Sequence, residues 1–212
     1  MCDERESSRP LFRSSVSGEP LTLRGVRMAV VGPDDVSRRP PFRGKVLKAD
    51  LANPVDREAV EAINNFFWGS LDQDVFGRTY RVLECVNFLA RPLPDEQGAP
   101  DPGTHGIAGN VAVTLEDGFL HIVVFHVWPS WQGRKVGRKM LDAAIIEARS
   151  RGLSCIKLGT TNDNLPALYF YQRAGFVVEE MIPGEVASTH GGAPVGFAGI
   201  PVRDEIRLRL DL

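Results

Sequence analysis

Between Asp56 and Phe67 the apolar residues Val60, Ile63 and Phe67 share one helical face, and Asp56 and Glu58 stand in the first turn, where acids suit a helix N-terminus. A second stripe, Met140, Leu141, Ala144, Ile145 and Ala148, predicts a helix from about Gly137 to Arg151 that stops at Gly152. A third, shorter helix fits the run NLPALYFYQRAGF, 164–176. Ala167, Leu168 and Tyr171 fall at helical spacing, Asn164 stands where an N-cap would, and Pro166 is tolerated in the first turn. Gly175 suits the position just past the helix end. Strand-like runs surround these helices at 22–31, 45–51, 79–90, 106–115, 119–129, 154–160, 176–182 and 203–212. Glu116-Asp117-Gly118 is a turn signal that joins two of them. In the last run Ile206, Leu208, Leu210 and Leu212 alternate with Arg207, Arg209 and Asp211, so one face is buried and one wet.

This order predicts an α/β fold of the α+β type: a mixed, largely antiparallel central sheet flanked by helices. The stretch 119–160 reads as a strand–helix–strand crossover, which sets two parallel strands side by side. Residues 44–212 form the domain. Residues 1–43 read as an N-terminal extension, polar and flexible at first, with a strand at 22–31. Two Pro/Gly-rich loops stand out, 92–104 and 183–201. The second is long for a connection between neighbouring strands and carries His190 as a substrate-contact candidate. The edge of the last strand offers a place for pairing in a homodimer.

Composition removes several function classes. A formal net charge of -2 over 212 residues gives no global attraction to nucleic acid or to an anionic membrane. Cys2, Cys85 and Cys155 are odd in number and widely spaced, which fits neither a disulfide framework nor a metal site. The polar start MCDERESSRP lacks the apolar core of a signal peptide, and no apolar run approaches the roughly 20 residues needed to span a bilayer. A reducing cytoplasm is the expected compartment.

The chemistry begins at WQGRKVGRKML, 131–141, where a strand passes into a helix. Backbone amides at a helix N-terminus, flanked by Arg134, Lys135, Arg138 and Lys139, make a site for phosphate. The glycine spacing is that of neither a Walker A loop nor a dinucleotide fingerprint. The stretch resembles the pyrophosphate loop of the GNAT superfamily of acyl-CoA N-acyltransferases, Gln/Arg-x-x-Gly-x-Gly/Ala, with Gln132 at its first position and Gly137 at its last. Lys135 stands where the family usually has its first glycine. The family's second landmark, Asn-x-x-Ala-x-x-x-Tyr-x-x-x-Gly-Phe, is matched by Asn164, Ala167, Tyr171, Gly175 and Phe176.

The resemblance implies a GNAT-like fold over residues 44–212 and acetyl-CoA as acyl donor, with no metal. It implies that strands 119–128 and 154–160 splay apart, and that the backbone around Phe125 to Val127 pairs with the pantetheine arm. The amides of Gln132, Gly133, Arg134, Lys135, Val136, Gly137 and Arg138 would hold the pyrophosphate, and Arg134, Lys135 or Lys139 would meet the ribose phosphate. Asn164 and Ala167 would sit beside the donor, and Tyr171 would protonate the departing sulfur. His121 and His126, on opposite faces of an alternating strand, are candidates for the base. The expected activity is acetyl transfer to the primary amine of a small molecule. A protein N-terminus or lysine as acceptor is the second reading, and a silent acyl-CoA-binding sensor module the third.

Overall fold

The computed structural model describes residues 39–96, 104–189 and 191–212, together with two short strands further upstream. His190 lies outside the described residues, as do 97–103 of the first long loop. The two upstream strands, β1 (Leu21–Leu23) and β2 (Val26–Met28), pair antiparallel with each other. They replace the single strand expected over 22–31, and they form a separate sheet rather than extending the central one.

The central sheet has seven strands: β3 (Lys45–Lys48), β6 (Val86–Arg91), β7 (Gly109–Glu116), β8 (Phe119–Val127), β9 (Cys155–Thr161), β10 (Val177–Ile182) and β11 (Glu205–Asp211). Their order is β10-β11-β9-β8-β7-β6-β3. Every neighbouring pair is antiparallel except β8 with β9, the crossover that the sequence predicts. The strand expected over 79–90 is broken. β5 (Arg78–Arg81) turns back on β4 (Asp72–Val75) as a separate hairpin, and a 3₁₀ turn at Val82–Glu84 leads into β6. β11 lies between β9 and β10, so it has no free edge for a second chain; that expectation is corrected, because β10 and β3 end the sheet.

Helix α1 (Pro54–Trp68) starts at Asn53, whose side chain accepts the Val55 amide, and ends at Gly69 in the left-handed conformation. It buries Ala59, Val60, Ile63 and Asn64. Full burial of a Val or Ile side chain contributes about 1.5–3 kcal/mol. Helix α2 (Val136–Ser150) buries Val136, Met140, Leu141, Ala144 and Ala148, the predicted stripe with Val136 added and Ile145 only partly covered. The two helices cover opposite faces. Asn110 on β7 is hydrogen-bonded to Asn64 of α1, while a Cβ built on the preceding Gly109 would meet Met140 of α2. Helix α3 (Leu165–Arg173) lies on the α2 side, and the short α4 (Glu185–Thr189) sits in the loop between β10 and β11.

Candidate active site

β8 and β9 are in register only from Phe119–Cys155 to Ile122–Leu158. Beyond that point β9 stays paired with β11 as far as Thr161, and β8 stays paired with β7 as far as Val127. The strands have parted, and the outer edge of β8 from Val123 to Val127 faces no strand. Backbone N–H and C=O groups beside a packed core must find partners, so this edge suits an extended ligand that bonds as a strand does.

A β-bulge falls where the strands part. Ala112 pairs with Val124 and Val113 with Ile122, which leaves Val123 as an extra residue. The bulge reverses the in–out alternation. Phe125 therefore faces α2 and α3, its ring 5.6 Å from Phe170 and 5.9 Å from Tyr171. His126 faces α1, stacked on Phe67 at 4.7 Å. His121 stacks on Phe76, beside the β4–β5 hairpin, at 4.5 Å. The expectation that the two histidines occupy opposite faces is corrected: with one residue inserted between them, both lie on the α1 and hairpin side.

The phosphate loop continues from β8 through Trp128 and a 3₁₀ turn, Pro129–Trp131. Gln132 fastens it. Its amide bonds the carbonyls of Trp128 and Pro129, and its side chain donates to Val127 O at 3.1 Å. Gly133 (φ 76°) and Lys135 (φ 65°) are both left-handed. Lys135 thus takes the backbone conformation that a glycine would adopt at little cost, and for a residue with a Cβ that conformation costs about 1–2 kcal/mol. The amides of Val136, Gly137 and Arg138 follow in the first turn of α2, where helix geometry supplies no acceptor. A Cβ built on Gly137 would lie 3.4 Å from Phe170 and 3.5 Å from Phe125, so this turn stands directly over the aromatic floor of the cleft. Replacing Lys135 with Gly is expected to stabilise the fold by about 1 kcal/mol or less and so raise the melting temperature slightly, because the relieved strain exceeds the added freedom of the unfolded chain. A lower melting temperature would show that the lysine side chain contributes more than its backbone costs.

The basic residues of the loop divide by role. Arg134 points inward, its side chain only 5% exposed. It donates to Pro40 O and faces the buried Glu96 carboxylate at 3.4 Å, with Trp131 under its guanidinium. Glu96 also accepts the amides of Arg43 (2.8 Å) and Gly44 (3.1 Å). Gly44 must be glycine here, since a Cβ would lie 2.1 Å from Arg91 O. Phe42 N donates to Arg134 O at 2.7 Å, and Arg39 donates to the carbonyls of Pro129 and Ser130. Lys139 is held by Gly44 O, and Arg138 pairs with Asp142. Residues 39–44 and 93–96 therefore brace the loop from behind, and Lys135, at the N-cap of α2, is exposed.

Across the cleft, Asn164 caps α3 by accepting the Ala167 amide at 3.3 Å. Gly175 (φ 103°) ends the helix, and Phe176 N closes back on Tyr171 O. Tyr171 is buried among Phe125, Phe170 and Phe176. Burial raises its phenol well above the ordinary value near 10, so it carries its proton at neutral pH. Two residues that no sequence pattern singles out fasten the long 183–201 loop here. Asp163 accepts the Phe197 amide, and Asn162 accepts those of Arg203 and Asp204.

Both histidines are buried and neutral. Burial, with Arg207 and Arg78 nearby, pushes His121 down to about 4; burial alone pushes His126 down to about 3. Between pH 6.5 and about 4 the unfolded chain binds a proton at each ring that the folded chain refuses, so stability falls as pH falls through that window. The loss expected at pH 5 is roughly 2 kcal/mol per ring. A thermal midpoint unchanged between pH 7 and pH 5 would refute this, and His121→Phe should flatten part of the slope.

The profile of the acetyltransferase (GNAT) family matches residues 73–176. Streptothricin acetyltransferase of Streptomyces lavendulae is 30% identical over 156 residues, covering 63% of this chain and 82% of the relative. An uncharacterised Bacillus subtilis protein, YxbD, is 33% identical over 162 residues, covering 74% of this chain and 94% of its own. A solved Bacillus subtilis acetyltransferase in complex with CoA shares the fold with a TM-score of 0.60 at 21% identity, over 80% of this chain and 99% of that one. With a divided parallel pair, a phosphate loop at the start of α2 and relatives of this extent, the chain belongs to the GNAT acetyltransferase family.

Proposed function

We propose that the protein transfers the acetyl group of acetyl-CoA to the primary amine of a small molecule, by direct attack while both are bound. The observation that carries this reading is the unpaired edge of β8, which runs straight into the first turn of α2. One end of that path suits an extended amide-bearing arm and the other suits a pyrophosphate. The 30% identity to a streptothricin acetyltransferase supports a small-molecule acceptor over a peptide. The left-handed Lys135 supports a loop able to hold the donor, since the departure from glycine leaves the bend intact.

In this reading the amides of Gly133 to Arg138 receive the pyrophosphate and the edge from Phe125 to Val127 aligns the thioester. A backbone N–H near Val127 polarises its carbonyl. Holding the two reactants together supplies much of the rate. His126 receives the amine proton, and Tyr171 gives its own to the departing thiolate. His121 lies in the zipped part of β8, fully buried, and packs the hairpin. Residues 44–212 would form the catalytic domain, acting in the cytoplasm; among the described residues no helix is long and apolar enough to cross a membrane.

The test is the thermal midpoint with and without acetyl-CoA, followed by acetylation of streptothricin, amino acids, polyamines and peptides. Ligand at about a hundred times its dissociation constant adds about 2.7 kcal/mol. No shift at millimolar acetyl-CoA would overturn the donor assignment, and labelling of peptides alone would overturn the acceptor class.

A further inference from the structure

His126 is 5% exposed, and its Nε2 accepts a hydrogen bond from the indole Nε1–H of Trp68. An indole nitrogen only donates. The lone pair that could take a proton from an amine is therefore already engaged, and the neutral ring must carry its hydrogen on Nδ1. Nδ1 itself has no partner among the described residues, so the indole is the one hydrogen bond that orients the ring. Phe67 stacks on the imidazole with an interplanar angle of 5° and prevents it from tilting.

Trp68 itself is far less confined. It is 45% exposed, the last residue of α1, and is followed by a left-handed Gly69 with open space around it. Nearly half of the residue faces solvent while its indole N–H is engaged by His126. It also forms the outer layer over His126, so a molecule reaching Nε2 from solvent meets Trp68 first.

We propose that Trp68 is a positioning residue for the general base: its indole holds His126 in the Nδ1–H tautomer and covers Nε2, and the acceptor amine takes the indole's place. The proposal rests on the reading of His126 as base in amine acetylation. Once the amine N–H donates to Nε2, the nitrogen lone pair forms the C–N bond to the thioester carbonyl carbon. The N–H proton passes to Nε2, the C–S bond breaks with its electron pair on sulfur, and sulfur takes the Tyr171 proton. The proton on Nε2 and the one lost by Tyr171 then balance through solvent. The groups around His126 are Asn64, Phe67 and Trp68 from α1 and Asn110 opposite it on β7, and none of them is charged. Its basicity is therefore set by burial and by the indole, both of which change when Trp68 moves.

The experiment compares the wild-type protein with W68F by nitrogen-15 imidazole spectra, with the His126 signals assigned through His126→Gln. The wild-type ring should be Nδ1–H. In W68F it should shift toward Nε2–H, and its pKa should rise because the donor that stabilises the neutral ring is gone and water reaches it. Rates of streptothricin acetylation from pH 5 to pH 9 should then show, in W68F, an acid limb at higher pH than in the wild type, while the change of tautomer is the signature that loss of packing alone would not produce. A wild-type ring in the Nε2–H form, or an unchanged tautomer in W68F, overturns the proposal. If streptothricin is not acetylated at all, the acceptor reading fails, while the spectra still decide the role of Trp68.

Discussion

Tyr171→Phe lowers kcat for acetyl transfer by about 10²-fold or more and leaves acetyl-CoA binding nearly unchanged. General acid–base groups contribute about 10²–10⁴-fold, and the phenol of Tyr171 is suited to the acid role because burial keeps it protonated. The substitution removes one oxygen and keeps the ring, so the contacts with Phe125, Phe170 and Phe176 survive. The measurement is steady-state turnover beside the acetyl-CoA-induced thermal shift. Turnover at the wild-type rate would take Tyr171 out of the mechanism; a lost thermal shift would mean that the hydroxyl serves binding instead.

Glu96→Ala has the largest expected effect on stability, a loss of about 3–5 kcal/mol, or roughly 10 °C in melting temperature for a chain of this size. The side chains of Glu96 and Arg134 are 2% and 5% exposed, so truncating the acid leaves a buried guanidinium without the carboxylate that faces it. The amides of Arg43 and Gly44 lose their acceptor at the same time. The double variant Glu96→Leu with Arg134→Met should recover part of the loss but not all, because those two amides stay unsatisfied. A single variant within about 1 kcal/mol of the wild type would show that the network is dispensable. Acetyl-CoA affinity offers a second readout, since Arg134 also accepts Phe42 N behind the phosphate loop.

The legible parts of the sequence were those in which periodicity and capping agree. Helix α2, with its stripe from Met140 to Ala148 and its stop at Gly152, and α3, between Asn164 and Gly175, follow from spacing alone, as do the alternation of β11 and the turn before β8. The β4–β5 hairpin was hidden because Phe76 occupies a left-handed position (φ 55°) in its turn, where an aromatic residue gives no turn signal. β11 looked like an edge because alternation reports which face is wet and says nothing about which strand lies alongside. Within the site, the motif positions at 132, 137, 164 and 171 could be read because local backbone demands select those residue types. Glu96, Asp163 and Trp68 could not. Their partners lie 38, 34 and 58 residues away, and nothing near them in sequence marks the pairing.

Val123 works as a phase shift in the chain's own reading frame. Everything in β8 before it is read in one in–out register, and everything after it in the other. Deleting that single residue would change no motif and no neighbouring side chain. With β7 keeping its partners, the ladder would only lose its bulge, and Phe125 and His126 would keep their sides relative to His121; pairing all of β8 without a bulge would instead set them on the opposite ones. For this strand the partner across the ladder, and not the count of residues along the chain, decides which face a side chain takes.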